Sequence, residues 1–364
     1  MPRPLVATID ISALRHNLAV ARRQAGGAKV WAVVKADAYG HGLARGMRGF
    51  ADADGLALIE PDYAVRLREL GWRKPVLLLE GFFDKADLLV AVQHEFQVVV
   101  HCEEQIALLE TALPAGAQLD VHLKMNSGMN RLGFKPAIYH DAHARLRRIA
   151  GVRGIALITH LANADEADNP ALPLARQLTN FAEGAQDLPG QRSVANSAAD
   201  LLHPEAAADW VRAGIMLYGG TPCSRAAAEF DLLPAMTLRS EIIGVQNLDA
   251  GDAVGYGSRF VAPQPMRIGV VACGYADGYP RHAPTGTPVL VNGVRTSTLG
   301  RISMDMLMVD LSGIADAAVG SPVVLWGEGL PIDEVANAAG TIGYELMCAL
   351  AARVHIEQIE QNNA

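Results

Sequence analysis

An alternation constrains this chain more than any other feature. Over about 220 residues from its start, short apolar runs are separated by longer amphipathic stretches. Parallel strands cannot be joined by a tight hairpin. They need a crossover, usually a helix, so the alternation predicts repeated βα units around a parallel sheet. Eight runs have strand character: KVWAVV (29–34), GLALI (55–59), PVLLLE (75–80), FQVVV (96–100), LDVHLKM (119–125), GIALITHL (154–161), RSVAN (192–196) and WVRAGIMLYG (210–219). Between them, PDYAVRLRELG, DKADLLVAVQHE, PAIYHDAHARLRRIAG and LPLARQLTNFAEGAQ have the period of crossover helices. Eight units predict an α/β fold with a closed (β/α)8 barrel of the TIM type. A doubly wound open sheet is the alternative, but it places a GxGxxG fingerprint after an early strand, and none follows any strand here.

From about residue 230 the pattern changes to polar and apolar alternation with hairpin signals. The clearest is TPVLVNGVRTSTL, where Asn292 and Gly293 form a natural two-residue turn. The prediction is therefore a barrel domain over 1–229 and a mainly β domain over 230–364, with the first few residues a candidate to pair with the latter. One strong helical pattern interrupts this second domain, over 332–354.

At 364 residues the chain exceeds what a single growing core usually holds, which agrees with two domains. A net charge of −8 gives no broad attraction for a phosphate backbone or anionic lipid, so nucleic acid and membrane surfaces are not expected partners. Cys102, Cys223, Cys273 and Cys348 form no CxxC, so they are read as reduced thiols, and no metal site is expected. No apolar stretch without charge or glycine approaches the length of a membrane span, and the N-terminal segment lacks the long apolar run of a secretory leader. Both point to the cytoplasm.

A barrel collects its reactive groups where strands end and βα loops begin. Lys35 follows VWAVV, Lys124 and Arg131 close the fifth strand, His160 ends the sixth, Ser197 follows the seventh and Arg212 lies in the eighth. A lysine in such a position, taken singly, only reaches solvent. Tyr39, Gly40 and Gly42 follow Lys35 at the start of a helical stretch, where free backbone N–H groups and a phenol suit a phosphate. A lysine beside a phosphate cradle points to pyridoxal phosphate.

VVKADAYGHG, HLKMNSGMNRLGF, THLANAD, RAGIMLYG, VGYGSRF, GYADGYPR and GRISMDM together resemble the successive motifs of the alanine racemase family. They stand in family order and span nearly the whole chain. The resemblance implies a pyridoxal 5'-phosphate enzyme interconverting L- and D-alanine, either supplying D-alanine for peptidoglycan or degrading it. It implies that Lys35 carries the cofactor covalently and is the base for the D enantiomer, with Tyr256 the base for the L enantiomer. Two acid/base groups on opposite faces are what racemisation requires, since one group would return the proton to the face it left. Lysine and tyrosine both titrate near pH 10 when unperturbed, so their surroundings must adjust them, with His160 and Arg212 the candidates.

The same resemblance places Arg212 at the pyridine nitrogen and gives the phosphate to Tyr39, Ser197, the backbone of Gly214 and Ile215, and Tyr344. Arg131 and the Met304 N–H are implied contacts of the substrate carboxylate. Lys124 matches a position that carries a carbamate in some members; an ordinary lysine paired with an acid is the other reading, and it is kept as a supporting residue. Tyr275 and Asp305 resemble residues at the site's entrance and beside the substrate; domain packing alone is the other reading for either. The family's sites are shared across a homodimer, so Tyr256, Tyr275, Met304 and Asp305 would complete the site around Lys35 of the other chain. Alternatives are a racemase of broader specificity, acting on serine or larger side chains, a related decarboxylase, and a non-enzymatic pyridoxal phosphate carrier.

Overall fold

The computed structural model describes residues 3–360. Eight parallel strands close into a barrel: Lys29–Val33, Gly55–Leu58, Val76–Leu78, Gln97–Val100, Leu119–Lys124, Val152–Ile158, Arg192–Asn196 and Trp210–Ala213. The last pairs with the first, Trp210 standing opposite Lys29 and Arg212 opposite Trp31. Each overlaps a predicted run, the sixth starting two residues before GIALITHL and ending three before its end. The eighth is shorter than its apolar pattern, because Gly214 (φ −117°, ψ −106°) leaves the strand and Ile215–Tyr218 continue as a 3-10 turn.

Aromatic packing fills the end of the barrel remote from the loops described below. Trp31 and Trp210 stack with centroids 4.3 Å apart, and His122 meets Trp31 edge-on. Gly55 leaves room for the indole: a Cβ there would lie 2.1 Å from the Trp31 ring. The crossover helices follow ordinary end chemistry. Pro61 and Pro136 open their helices, and Arg145, Arg147 and Arg148 close the second of these against its C-terminal dipole.

The second sheet is formed mainly by residues beyond 235. Met236–Leu248 is long enough to pair at one end with Pro322–Trp326 and at the other with Met266–Val271. The ring continues through Leu307–Asp310, Val294–Leu299 and Pro288–Val291. Asn292 (φ 51°) and Gly293 (φ 77°) turn the Val291–Val294 hairpin, both left-handed as such a turn requires. Val6–Asp10 inserts beside Met236–Leu248 and runs parallel to His355–Ile359, so an early and a late segment of the chain meet in this sheet. Asp10 then caps the helix Ile11–Gln24, accepting from the Ser12 and Ala13 N–H groups, and the chain enters the barrel.

One correction concerns residues 332–354. They form two helices, Ile332–Ala339 and Gly343–Cys348, not one. Gly340 is left-handed (φ 71°) and ends the first, and Ile342 is extended.

Candidate active site

The C-terminal ends of the barrel strands surround a cavity of about 870 Å³. Lys35, Tyr39, Lys124, Arg131, His160, Ser197, Arg212, Gly214, Ile215 and Tyr344 all line it. Residues separated by more than 300 positions thus meet at one place. Tyr344 reaches it from the helix Gly343–Cys348, which packs on the segment following Lys35.

That segment departs from the sequence reading. Ala36, Asp37, Ala38 and Tyr39 all have φ between 51° and 54°, one turn of left-handed helix built without glycine. Left-handed backbone costs an L residue roughly 1–2 kcal/mol, so four in a row persist only if their surroundings hold them. The N–H groups of Ala38, Gly40 and Gly42 bond to the carbonyls of Val34, Ala36 and Asp37. Asp37 also accepts from the Leu43 N–H at 2.7 Å, at the head of the right-handed helix Leu43–Gly49. The backbone donors expected for a phosphate at Tyr39–Gly42 are therefore largely consumed within the turn. A Cβ on Gly40 would lie 2.1 Å from the Met347 carbonyl oxygen, so glycine is required where the turn meets the neighbouring helix.

A different cradle exists across the cavity. A Cβ on Gly214 would lie 2.8 Å from the Tyr39 hydroxyl and 3.6 Å from Ser197 Oγ. Ser197 Oγ accepts from the Gly214 N–H at 2.8 Å, leaving its own hydrogen to donate. Ile215 opens the 3-10 turn, whose first N–H groups have no partner within it. Two hydroxyls and backbone donors face a space that glycine leaves open. Such a donor set suits a phosphate.

At the opposite pole Arg212 is buried and held by neutral acceptors only. It donates to Ser193 Oγ at 2.7 Å and to the carbonyls of Thr159 and Val194 at 2.6 and 3.1 Å. Burial pushes its guanidinium down to about 10, which still leaves it a cation at neutral pH. The His160 imidazole is driven well below its ordinary range by burial, and then by Arg212, Lys124, Arg131 and Lys35, so it is neutral. Burial and then Arg131 lower the Lys35 amine, against a smaller opposing pull from Glu80. Lys124 is pushed down to about 8 by burial, Arg212 and Arg131. The cavity is thus rich in cations, a setting for a doubly anionic ligand.

Glu80 and His101 also line the cavity, although sequence reasoning did not select them. The same rule would have found both, since they close the runs VLLLE and FQVVV. Asp165 lies in the loop after His160; it ends the motif THLANAD, although no role was assigned to it there.

Tyr256, Tyr275, Met304 and Asp305 do not line this cavity. They lie in the second domain, where the Tyr275 N–H bonds to the Ser303 carbonyl and the Ala276 N–H to that of Met304. Tyr256 is 72% exposed and Met304 52%, and the Met304 N–H donates no hydrogen bond among the described residues. Arg353 fixes Asp305 through its carboxylate at 2.6 Å and reaches the buried Asp277 carboxylate at 2.8 Å, and Arg3 joins both aspartates.

Fold and cavity together define a two-domain barrel protein whose one cavity gathers a lysine, an arginine and a two-hydroxyl cradle that suits a phosphate. Family models for the N-terminal and C-terminal domains of alanine racemase match residues 9–222 and 235–358. The chain belongs to the alanine racemase family. It is 65% identical to the alanine racemase of Janthinobacterium sp. (strain Marseille), over 99% of this chain and 100% of that one. It is 55% identical to that of Ralstonia pickettii (strain 12J), over 98% and 96%. Among solved structures it resembles the biosynthetic alanine racemase of Pseudomonas aeruginosa, with a TM-score of 0.94 and 49% identity over 98% and 99% of the two chains. The alanine racemase of Acinetobacter baumannii gives a TM-score of 0.91 at 37% identity over 98% and 100%.

Proposed function

We propose that this protein interconverts L- and D-alanine using pyridoxal 5'-phosphate carried on Lys35, in a homodimer whose sites draw residues from both chains. The observation that carries this reading is the cavity itself: a burial-lowered lysine amine, a carboxylate-free arginine and a two-hydroxyl cradle at Gly214 converge there. The cradle fits a phosphate because any side chain at position 214 would occupy it. When bound, the cofactor supplies an electron sink that makes the α-hydrogen of an amino acid removable.

The protein's own groups then decide what happens to that hydrogen. The lowered Lys35 amine is more readily available as a free base near neutrality than an exposed lysine, and it accepts or returns the α-proton on one face. The partner subunit's Tyr256 serves the other face. Its exposure in the single chain agrees with that role, because a phenol already packed in its own subunit could not enter another cavity.

Arg131 lines the cavity without a carboxylate partner among the described residues, free to clamp the substrate carboxylate with its planar fork. The free Met304 N–H of the partner adds a second donor for that group. Arg212 would hold the cofactor's ring nitrogen as a donor. A guanidinium keeps its own proton, so it would offer that nitrogen a hydrogen bond without protonating it. Arg212 would thereby favour return of the proton to Cα. Lys124 ends the fifth strand close enough to Arg131 for the two cations to repel, so it would orient the guanidinium only as a carbamate, whose negative charge reverses that interaction.

Racemisation measured in deuterium oxide across a panel of L and D amino acids tests the function. Alanine should be strongly preferred, with deuterium entering Cα and no carbon dioxide released. Preference for serine or a larger side chain would replace the reading with a broader racemase, and carbon dioxide release would replace it with a decarboxylase.

A further inference from the structure

The segment after Lys35 contains a buried imidazole that takes no part in the chemistry above. His41 is fully buried, two residues beyond Tyr39. Its Nδ1 lies 2.9 Å from the Tyr39 carbonyl oxygen and 3.1 Å from that of Ala38. Both partners can only accept, so Nδ1 carries the hydrogen and Nε2 is a bare acceptor. Burial pushes the ring down to about 4, so it is neutral wherever the protein is folded and active near neutrality.

Nε2 has no partner among the described residues. The ring lies 4.7 Å from that of Tyr218, which in turn stacks on Tyr39 at 4.6 Å and donates its hydroxyl to the Val33 carbonyl at 2.8 Å. In this packed apolar setting a leucine would fill space without an unsatisfied acceptor. The imidazole is therefore explained by its Nδ1–H. That donor holds the carbonyls of the last two left-handed residues, the point at which the turn would otherwise relax.

We infer that His41 is a positioning residue: by bonding to Ala38 and Tyr39 it keeps the turn left-handed and so aims the Tyr39 phenol at the cofactor phosphate. The inference rests on reading the cavity as the pyridoxal phosphate site. Its consequence is selective. Loss of the Nδ1–H should weaken the phosphate end of the site and leave the rest of the cavity near its original affinity.

The test is titration of cofactor-free protein with pyridoxal 5'-phosphate and with unphosphorylated pyridoxal, followed by quenching of intrinsic fluorescence. His41→Leu should weaken pyridoxal phosphate binding by about 10-fold or more while changing pyridoxal binding by less than about 3-fold. His41→Asn places an amide nitrogen near the Nδ1 position and should restore pyridoxal phosphate binding to within about 3-fold of the original protein, whereas His41→Gln should not. Equal losses for both ligands, unchanged binding in His41→Leu, or equal behaviour of the Asn and Gln variants would overturn the inference. Should His41→Leu fail to fold, the Asn and Gln pair decides it. Failure of the unsubstituted protein to bind pyridoxal phosphate would contradict the reading of the site, a result separate from failure of the His41 inference.

Discussion

Arg212 Nη2 lies 3.5 Å from His160 Nδ1, and neither group is paired with a carboxylate among the described residues. The arginine keeps its charge at neutral pH and the imidazole does not. A fixed donor thus stands beside a neutral ring. On the proposed function this pairing would favour proton return to Cα, and it gives the most specific prediction for the reaction's partition. Arg212→Glu places an acid where the guanidinium stood, one able to share a proton with the ring nitrogen. Conversion of the cofactor to its amine form, followed by absorbance, should then rise relative to racemisation by about 10-fold or more. An unchanged ratio would remove Arg212 from that role.

The cradle makes a second prediction. In Gly214→Ala the new methyl would sit 2.8 Å from the Tyr39 hydroxyl, closer than real Cβ contacts come. The methyl must displace the Tyr39 phenol or fill the cradle, and either removes room or a donor from the phosphate, so pyridoxal phosphate binding should weaken by roughly 10-fold or more. Equilibrium titration of the cofactor-free protein measures it. Unchanged affinity would place the phosphate elsewhere.

Acid stability follows from His122, which burial, and then Arg212, push down to about 4. In the unfolded chain its ordinary value is 6.5, so between pH 6.5 and about 4 the unfolded state binds the extra proton. Stability is lost as pH falls through that window, by ~3 kcal/mol from this ring. His122→Gln removes the titration and keeps a donor for Gln97, which lies 2.7 Å from His122 Nε2. Denaturant unfolding at a series of pH values should show a shallower acid decline in the variant. An identical decline would show that His122 does not carry it.

Sharing of sites between chains is tested by mixing. Lys35→Ala and Tyr256→Ala proteins should each be inactive, and reassorted dimers should recover activity, because one of the two sites in each mixed dimer is intact. With exchange of subunits confirmed, absence of recovery would return Tyr256 to its own chain's chemistry.

Much of this was legible in the sequence for physical reasons. Barrel strands are buried on both faces and read as apolar runs, so all eight were visible, and the residues closing them, from Lys35 to Arg212, fell in one cavity. The eighth strand was overextended because Ile215–Tyr218 are as apolar as the strand before them, and only Gly214 signals the change. The left-handed turn was not legible. Ala36 to Tyr39 have no residue that favours positive φ except Asp37, and what holds them is partly remote in sequence, such as the Met347 carbonyl against Gly40. His41 was overlooked with it, since the value of its Nδ1–H exists only once the turn is known. That the first residues pair with the second domain was anticipated, but the particular parallel partner of Val6–Asp10, His355–Ile359 some 350 residues away, lies beyond the reach of local pattern.

The account depends most on Lys35 as the residue that carries the cofactor. Borohydride reduction of the cofactor-loaded protein, digestion and peptide mapping test this directly. The account predicts the reduced cofactor on Lys35, in the peptide containing KADAYGHG, with none on Lys124 although its amine is also lowered. A label on Lys124 or any other lysine would contradict it.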